Sequence, residues 1–270
     1  MNFKSYNDLV EDTLKLTIQI KKPDLIVGVP RSGMLPATIM ANHWHVPLST
    51  PELFVKGKTL GSGPRLEEKE INNVLVVDDS HLRGFSIKAV KELLNQSNKN
   101  IKYCAIYYED EEKLIDLDYA GKQVKKPRCF QWNFLAHKTI TPQTCYDLDG
   151  VICIAPTEEQ NDYGMKYEKF LKSTKPLYIP EYRVGAIVTG RLEKYRKQTE
   201  MWLKEHNVKY VNLIMRQDGI DHSEHKSEIY KLPRYKLFVE NELKQVLKIH
   251  ELTGNPVLHT ESWKLYGGEK

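Results

Sequence analysis

Two acidic clusters stand at the ends of apolar runs, and their spacings suit different chemistry. The first lies in Val74-Leu75-Val76-Val77-Asp78-Asp79-Ser80-His81-Leu82-Arg83-Gly84-Phe85-Ser86. An apolar strand delivers two adjacent carboxylates to its end. A turn through Gly84 then opens a helix whose first hydroxyl is Ser86. Two carboxylates suit a ribose diol, because each accepts a hydrogen bond from a neighbouring hydroxyl. The turn and the helix start offer backbone N–H groups and a partial positive charge to a phosphate. Gly84 lets the backbone approach closely. Together these features describe a cradle for a ribose 5-phosphate.

The second cluster is Cys145-Tyr146-Asp147-Leu148-Asp149-Gly150-Val151. Carboxylates at i and i+2 project to one side of an extended chain, and the turn at Gly150 bends the second toward the same pocket. The first can attack phosphorus and the second can protonate the leaving oxygen. Two acids together also make a site for Mg²⁺, which neutralises charge on a phosphoryl group.

The elements that must position these clusters follow from periodicity. Ser5 to Ile20 reads as a helix with Ser5 as its N-cap. Strands are expected at Asp24–Val29, Asn73–Val77 and Ile101–Tyr108, with a helix from about Ser86. Leu135 to Thr144 carries no periodicity and contains Pro142, so the domain boundary is placed there. Beyond it, strands are expected at Cys145–Asp149, Val184–Thr189, Val211–Met215, Leu237–Glu240 and Val257–Thr260. Helices are expected at Arg191–His206 and Asn241–Thr253. This alternation predicts an α/β fold in two domains, 1–138 and 139–270, each a mainly parallel sheet flanked by helices. Ligands in such sheets bind at the carboxyl ends of strands, where both acidic clusters lie.

The Asp78–Ser86 segment resembles the PRPP signature of type I phosphoribosyltransferases, in the Asp-Asp-Ser-x-x-Arg-Gly-x-Ser variant of amidophosphoribosyltransferases. Val27-Gly28-Val29-Pro30-Arg31-Ser32-Gly33-Met34 is similar to the family's pyrophosphate loop. The resemblance implies PRPP binding by Arg31, Ser32, Gly33, Asp78, Asp79, Arg83, Gly84 and Ser86. Leu53 to Glu70 would be the closing hood, with Lys56, Lys58 and Arg65 facing the leaving pyrophosphate. Asp116 through Trp132 is similar to the tail of xanthine/guanine-type enzymes, which makes Phe130 and Trp132 the candidates to stack on a nucleobase. Leu82 departs from the 6-oxopurine salvage enzymes, which usually carry an acid there.

Cys145–Val151 resembles the first motif of the haloacid dehalogenase (HAD) superfamily of phosphotransferases. The resemblance assigns the nucleophile to Asp147 and the acid to Asp149. It implies a phosphoryl-binding hydroxyl at Thr189 and a cation at Lys226. Mg²⁺ would be held by Asp147 and Asp149 with Glu240 and Glu242, or with Asn241. The stretch from Cys153 to Arg183 is too short for a large cap, and Asp162, Tyr163 and Tyr167 lie within it.

The two resemblances together imply a bifunctional enzyme. It would transfer ribose 5-phosphate from PRPP to a nucleobase-like acceptor, and hydrolyse a phosphate monoester through an aspartyl phosphate. The alternative is a phosphatase regulated or targeted by a non-catalytic PRPP- or nucleotide-binding domain. The formal net charge is +4, with 20 basic and 17 acidic residues up to Lys138 and 20 and 19 beyond it. That even spread argues against a dedicated nucleic-acid face. The run Lys122, Lys125, Lys126 and Arg128 reads as a solvated turn. No apolar stretch approaches the ~18 residues of a membrane span, and the N-terminus has no apolar leader core. A soluble cytoplasmic protein is expected, with Cys104, Cys129, Cys145 and Cys153 as buried thiols. A homo-oligomer is compatible with this reading.

Overall fold

The computed structural model describes residues 1–60, 70–162 and 164–268. The expectations for Arg65 and Tyr163 lie outside the described residues. The chain divides into two compact units, Tyr6–Arg128, and Met1–Ser5 with Cys129–Lys270.

A short strand β1 (Asn2–Lys4) precedes the first unit. That unit then runs α1 (Tyr6–Thr17), β2 (Leu25–Gly28), α2 (Met34–Trp44), β3 (Leu48–Ser49) and α3 (Pro51–Val55). It continues with β4 (Asn73–His81), α4 (Phe85–Leu93), β5 (Asn100–Tyr108) and β6 (Tyr119–Gln123). The sheet order is β3-β2-β4-β5-β6, and every pairing is parallel. Helices cover such a sheet, so β2 and β4 are nearly continuous apolar runs. Leu25, Val27, Val74 and Val76 pack with Ile87 and Val90 of α4. A Cβ at Gly28 would lie 2.6 Å from Met34 Sδ and 2.8 Å from Ala37 Cβ, so α2 rests directly on the end of β2.

The second unit begins with β7 (Arg128–Phe130), which pairs with β1. It continues with β8 (Thr144–Tyr146), α5 (Met165–Ser173), β9 (Val184–Leu192), α6 (Arg196–Glu205) and β10 (Tyr210–Arg216). Next come α7 (His222–Tyr230), β11 (Leu237–Glu240), α8 (Leu243–Thr253), β12 (Val257–His259) and β13 (Lys264–Tyr266). The order is β10-β9-β8-β11-β12-β13. All neighbours are parallel except β13, which pairs antiparallel with β12. Strand order reverses between β8 and β11, and at such a switch point the loops leave in opposite directions and open a crevice.

Three differences from the sequence reading have physical causes. Residues 129–138 pack in the second unit rather than the first. Cys129 and Phe134 share a core with Tyr146, Leu148 and Trp202, and Phe134 meets Phe3 edge-on. Helix α6 starts at Arg196 rather than Arg191, because β9 runs on to Leu192 and Arg191 is drawn into an ion pair described below. Arg128, read as part of a solvated turn, is buried and donates to the Val124 carbonyl at 2.9 Å. All four cysteines are buried and unpaired. Among the described residues no helix is long and apolar enough to cross a membrane.

Phe238 is fully buried at the centre of the second sheet. Phe238→Ala is expected to cost ~3–5 kcal/mol by cavity formation, read as faster amide hydrogen exchange in β8, β11 and β12. Unchanged exchange there would show that the cluster around Phe238 is not the core of this unit.

Candidate functional site

In the first unit, the loop after β2 and the end of β4 converge. Val29 N–H donates to the Val77 carbonyl at 2.9 Å, which seats the 29–33 loop on the strand carrying the acids. A Cβ at Gly33 would fall 2.5 Å from the Val29 carbonyl and 2.9 Å from Asp78 Oδ1, so no larger residue fits. Ser32 Oγ donates to Asp79 Oδ1 at 2.9 Å. Asp78 Oδ1 accepts from the Asp79 N–H at 2.9 Å. The sequence elements Arg31-Ser32-Gly33 and Asp78-Asp79 are therefore adjacent. Arg31 and Arg83 are exposed, and Gly84 precedes α4 with φ of 76°. Ser86 is exposed in the first turn of that helix.

Asp78 and Asp79 are 6% and 5% exposed. Burial, and then the neighbouring Asp79 charge, pushes Asp78 up to about 8. Phe130 and Trp132 belong to the other unit, and their rings stack on each other at 4.7 Å and 3°. Lys56 and Lys58 are exposed after α3.

In the second unit the switch point holds a denser network. Asp147 follows β8 and continues its ladder, donating N–H to the Val239 carbonyl at 3.0 Å. Its Oδ1 accepts from the Leu148 N–H at 2.8 Å. Its Oδ2 accepts from Lys226 Nζ at 2.8 Å. Lys226, on α7, is 1% exposed and also donates to Glu240 Oε2 at 2.6 Å and Gln245 Oε1 at 2.8 Å. Burial alone would depress the ammonium, but Asp147 and Glu240 more than offset it and hold it above its usual value. One ammonium against two carboxylates leaves a negative charge in a buried place. Burial accordingly pushes Asp147 up to about 7, against the pull of Lys226.

Asp149 is tied elsewhere. Its Oδ2 and Oδ1 accept from Arg191 Nε at 2.9 Å and Nη2 at 2.6 Å, a two-pronged charge-assisted contact. Arg191 is buried and also donates to Thr199 Oγ1 at 3.3 Å and Cys153 Sγ at 3.3 Å. Burial works against the guanidinium, and Asp149 more than restores it. Thr189 is fully buried, and its Oγ1 accepts from the Arg191 N–H at 3.2 Å. A cavity of about 200 Å³ opens between these groups, with Asp147, Asp149, Arg191, Lys226 and Asn241 in its wall.

The expected metal set is not assembled as four carboxylates. Glu240 Oε2 is held by Lys226, and its Oε1 accepts from the Asn241 and Glu242 N–H groups at 3.0 and 3.1 Å. Glu242 is exposed and accepts from Gln245 Nε2. Among the described residues no group of three or more His, Cys, Asp or Glu side chains is arranged to hold a metal. One terminal atom of the Asn241 carboxamide lies 3.0 Å from the Asp149 carbonyl and 3.2 Å from Glu240 Oε1. With nitrogen there, it donates to both. That arrangement satisfies all three groups, so the Asn241 nitrogen ties the Asp149 carbonyl to Glu240.

Arg191, Gln245 and Arg216 take parts that the sequence reading did not give them. The Thr-Gly-Arg run after a strand was the available signal for Arg191. Nothing in the local pattern marked Gln245.

No family model matches this chain, and no curated protein matches it. Among solved structures it is similar to the purine phosphoribosyltransferase from Pyrococcus horikoshii. Identity there is 20% over 48% of this chain and 93% of that one, with a TM-score of 0.37. Helicobacter pylori xanthine-guanine-hypoxanthine phosphoribosyltransferase shows 20% identity over 50% and 99%, with a TM-score of 0.36. A chain of a Pnkp1/Rnl/Hen1 RNA repair complex shows 12% identity over 95% and 94%, with a TM-score of 0.35. At TM-scores below 0.5 these likenesses assign neither residues nor activity.

The raised Asp78 gives a signed expectation. A carboxyl whose folded value lies above its unfolded 3.8 binds a proton more tightly when folded. Folding stability then falls as pH rises from about 4 to about 8. Asp78→Asn removes that slope for the first unit. Thermal melts across this range check it, and an unchanged slope in the variant would place the proton elsewhere.

Proposed function

We propose that the chain carries two activities, a PRPP-dependent phosphoribosyl transfer in the first unit and a HAD-type phosphatase in the second. The observation that carries the reading is the buried Asp147–Lys226–Glu240 triad at a switch point, facing a cavity beside a second acid, Asp149. An Asp-x-Asp-Gly after a central parallel strand, with a lysine from a later helix on the first Asp, presents an oriented carboxylate beside a second acid, which suits phosphoryl transfer to carboxylate.

In the second unit Asp147 would attack phosphorus, and the bond to the leaving oxygen would break. Asp149, swung off Arg191 and protonated, would give its proton to that oxygen. As a carboxylate it would then take a proton from the water that attacks the aspartyl phosphate, releasing phosphate and restoring Asp147. Lys226 holds the nucleophile's orientation throughout. Asp147 and the carboxamide oxygen of Asn241, which line one cavity, would hold Mg²⁺, which when bound neutralises phosphoryl charge.

In the first unit Asp78 and Asp79 would accept from the ribose hydroxyls of PRPP. Gly84 and the start of α4 would take its 5-phosphate, and Arg31 to Gly33 its pyrophosphate. A nucleobase-like acceptor would receive the ribosyl group, and sequential action of the two units would yield a nucleoside. One observation favours a second reading, in which the first unit binds PRPP or a nucleotide without transferring it. The aromatic pair expected to stack on the base, Phe130 and Trp132, belongs to the other compact unit and is stacked on itself.

Wild type and Asp147→Asn incubated with Mg²⁺, PRPP and a pool of nucleobases separate these readings. The variant is expected to accumulate a nucleotide where wild type yields its nucleoside, followed by mass spectrometry. If neither consumes PRPP in a base-dependent way, yet wild type hydrolyses phosphate esters, the first unit is a sensor or targeting module or its acceptor is not an ordinary base. If wild type hydrolyses no phosphate ester, the phosphatase assignment fails.

A further inference from the structure

Counting donors in the second site leaves a question about which cation meets the substrate. A lysine ammonium has three N–H bonds. All three of Lys226's point at acceptors of the protein itself, namely Asp147, Glu240 and Gln245. Arg191 is likewise committed to Asp149, Cys153 and Thr199. In this arrangement neither has two free donors for a phosphoryl dianion, since Lys226 has none left and Arg191 has one of its five.

Arg216 does. It is the last residue of β10 and is 8% exposed in the wall of the same cavity. Its Nε donates to the Gly190 carbonyl at 3.1 Å and its Nη1 to the Ile220 carbonyl at 2.6 Å. Both partners are neutral, and three of its five N–H bonds remain. No carboxylate of the described residues lies in ion-pair range of it. A guanidinium this buried and unpaired by any acid is costly unless an anion completes it.

The backbone is shaped to bring it there. The β9–β10 register steps from Met215 opposite Thr189 to Arg216 opposite Leu192. Gly190 and Arg191 are left without ladder partners, and a bulge of this kind re-aims the side chains beside it. It frees the Gly190 carbonyl to fix the Arg216 fork. Gly190 has no room for a side chain, since a Cβ there would collide with the His222 ring. His222 contributes no competing charge: burial, then Arg216 and Lys226, hold its imidazole below its usual value.

We infer that Arg216, and not Lys226, is the cation that binds the non-bridging oxygens of the substrate's phosphoryl group. The inference rests on the phosphatase reading for its substrate, but its binding half is separable. The ligand class is a phosphate monoester dianion, with inorganic phosphate as product and probe.

The test uses the full chain, with Arg216→Gln and Arg216→Lys beside wild type. Inorganic phosphate is titrated against the thermal midpoint, since a ligand bound only by the folded state raises it. p-Nitrophenyl phosphate turnover is measured in parallel. Phosphate affinity in Arg216→Gln, read against that variant's own midpoint without phosphate, is expected to fall at least about tenfold, with a matching rise in KM. Arg216→Lys, which keeps charge but not the fork, should lose about threefold. A folded Arg216→Gln with wild-type phosphate affinity and KM overturns the inference and leaves the phosphatase reading intact. Phosphate binding that is lost in Arg216→Gln, in a wild type that hydrolyses no ester, upholds the anion site and removes the phosphatase. Should Arg216→Gln fail to fold, Arg216→Lys decides by the same two readouts.

Discussion

The constraint on which the second unit depends is the Lys226 ammonium between two buried carboxylates. Asp147 is the first residue after β8, Glu240 the last of β11, and Lys226 sits in the middle of α7. Three elements distant in sequence are therefore fixed to one another by a single charged group. Removing that group would leave two carboxylates uncompensated in a dry site, which costs several kcal/mol. Glu240 extends the network further, because its other oxygen accepts from the two N–H groups that lead into α8. The triad orients Asp147, the nucleophile of the proposed reaction, by the same contacts that hold the crevice in shape.

The two sites handle buried negative charge in opposite ways. In the first unit burial, and then the neighbouring Asp79 charge, pushes Asp78 up to about 8. Hydroxyl donors from a neutral diol suit such a pair, because they satisfy carboxylate oxygens without adding charge. In the second unit each acid has a cation of the protein against it, Lys226 shared by Asp147 and Glu240, and Arg191 for Asp149. The unpaired group there is a cation, Arg216. A buried acid held above its usual range in one site, and a guanidinium with donors to spare in the other, thus separate a site suited to hydroxyls from one suited to a phosphoryl dianion.

Much of this was legible in the sequence, for identifiable reasons. Strands β2, β4, β5, β9 and β11 are each built around an apolar run, Leu25–Val27, Val74–Val77, Tyr103–Tyr108, Ala186–Val188 and Leu237–Val239, so their positions could be read directly. Asp78, Asp79, Asp147 and Asp149 follow such runs, and parallel topology places strand ends at ligand sites. Strand β13 was not legible, since Lys264–Tyr266 is short, half-exposed, and defined by pairing with Val257–His259. The unit boundary was missed because β1 reaches back to pair with β7, a long-range contact with no local signal. Phe130 and Trp132 sit at the chain position expected of base-stacking residues, yet their place is set by packing in the other unit.

Glu240 shows why spacing reads residue type better than role. Its position after an apolar strand marks it as functional, and an acid there suits Mg²⁺. Three dimensions give its oxygens other partners, because Lys226 approaches from a helix fourteen residues upstream. The same approach exhausts the lysine's donors and shifts phosphate recognition to Arg216, a residue whose flanks, Met215 and Gln217, announce nothing. A side chain's chemistry is fixed by its type, but its availability depends on which hydrogen bonds the fold has already made. In this site the commitments of Lys226 and Arg191 decide what Arg216 is left to do.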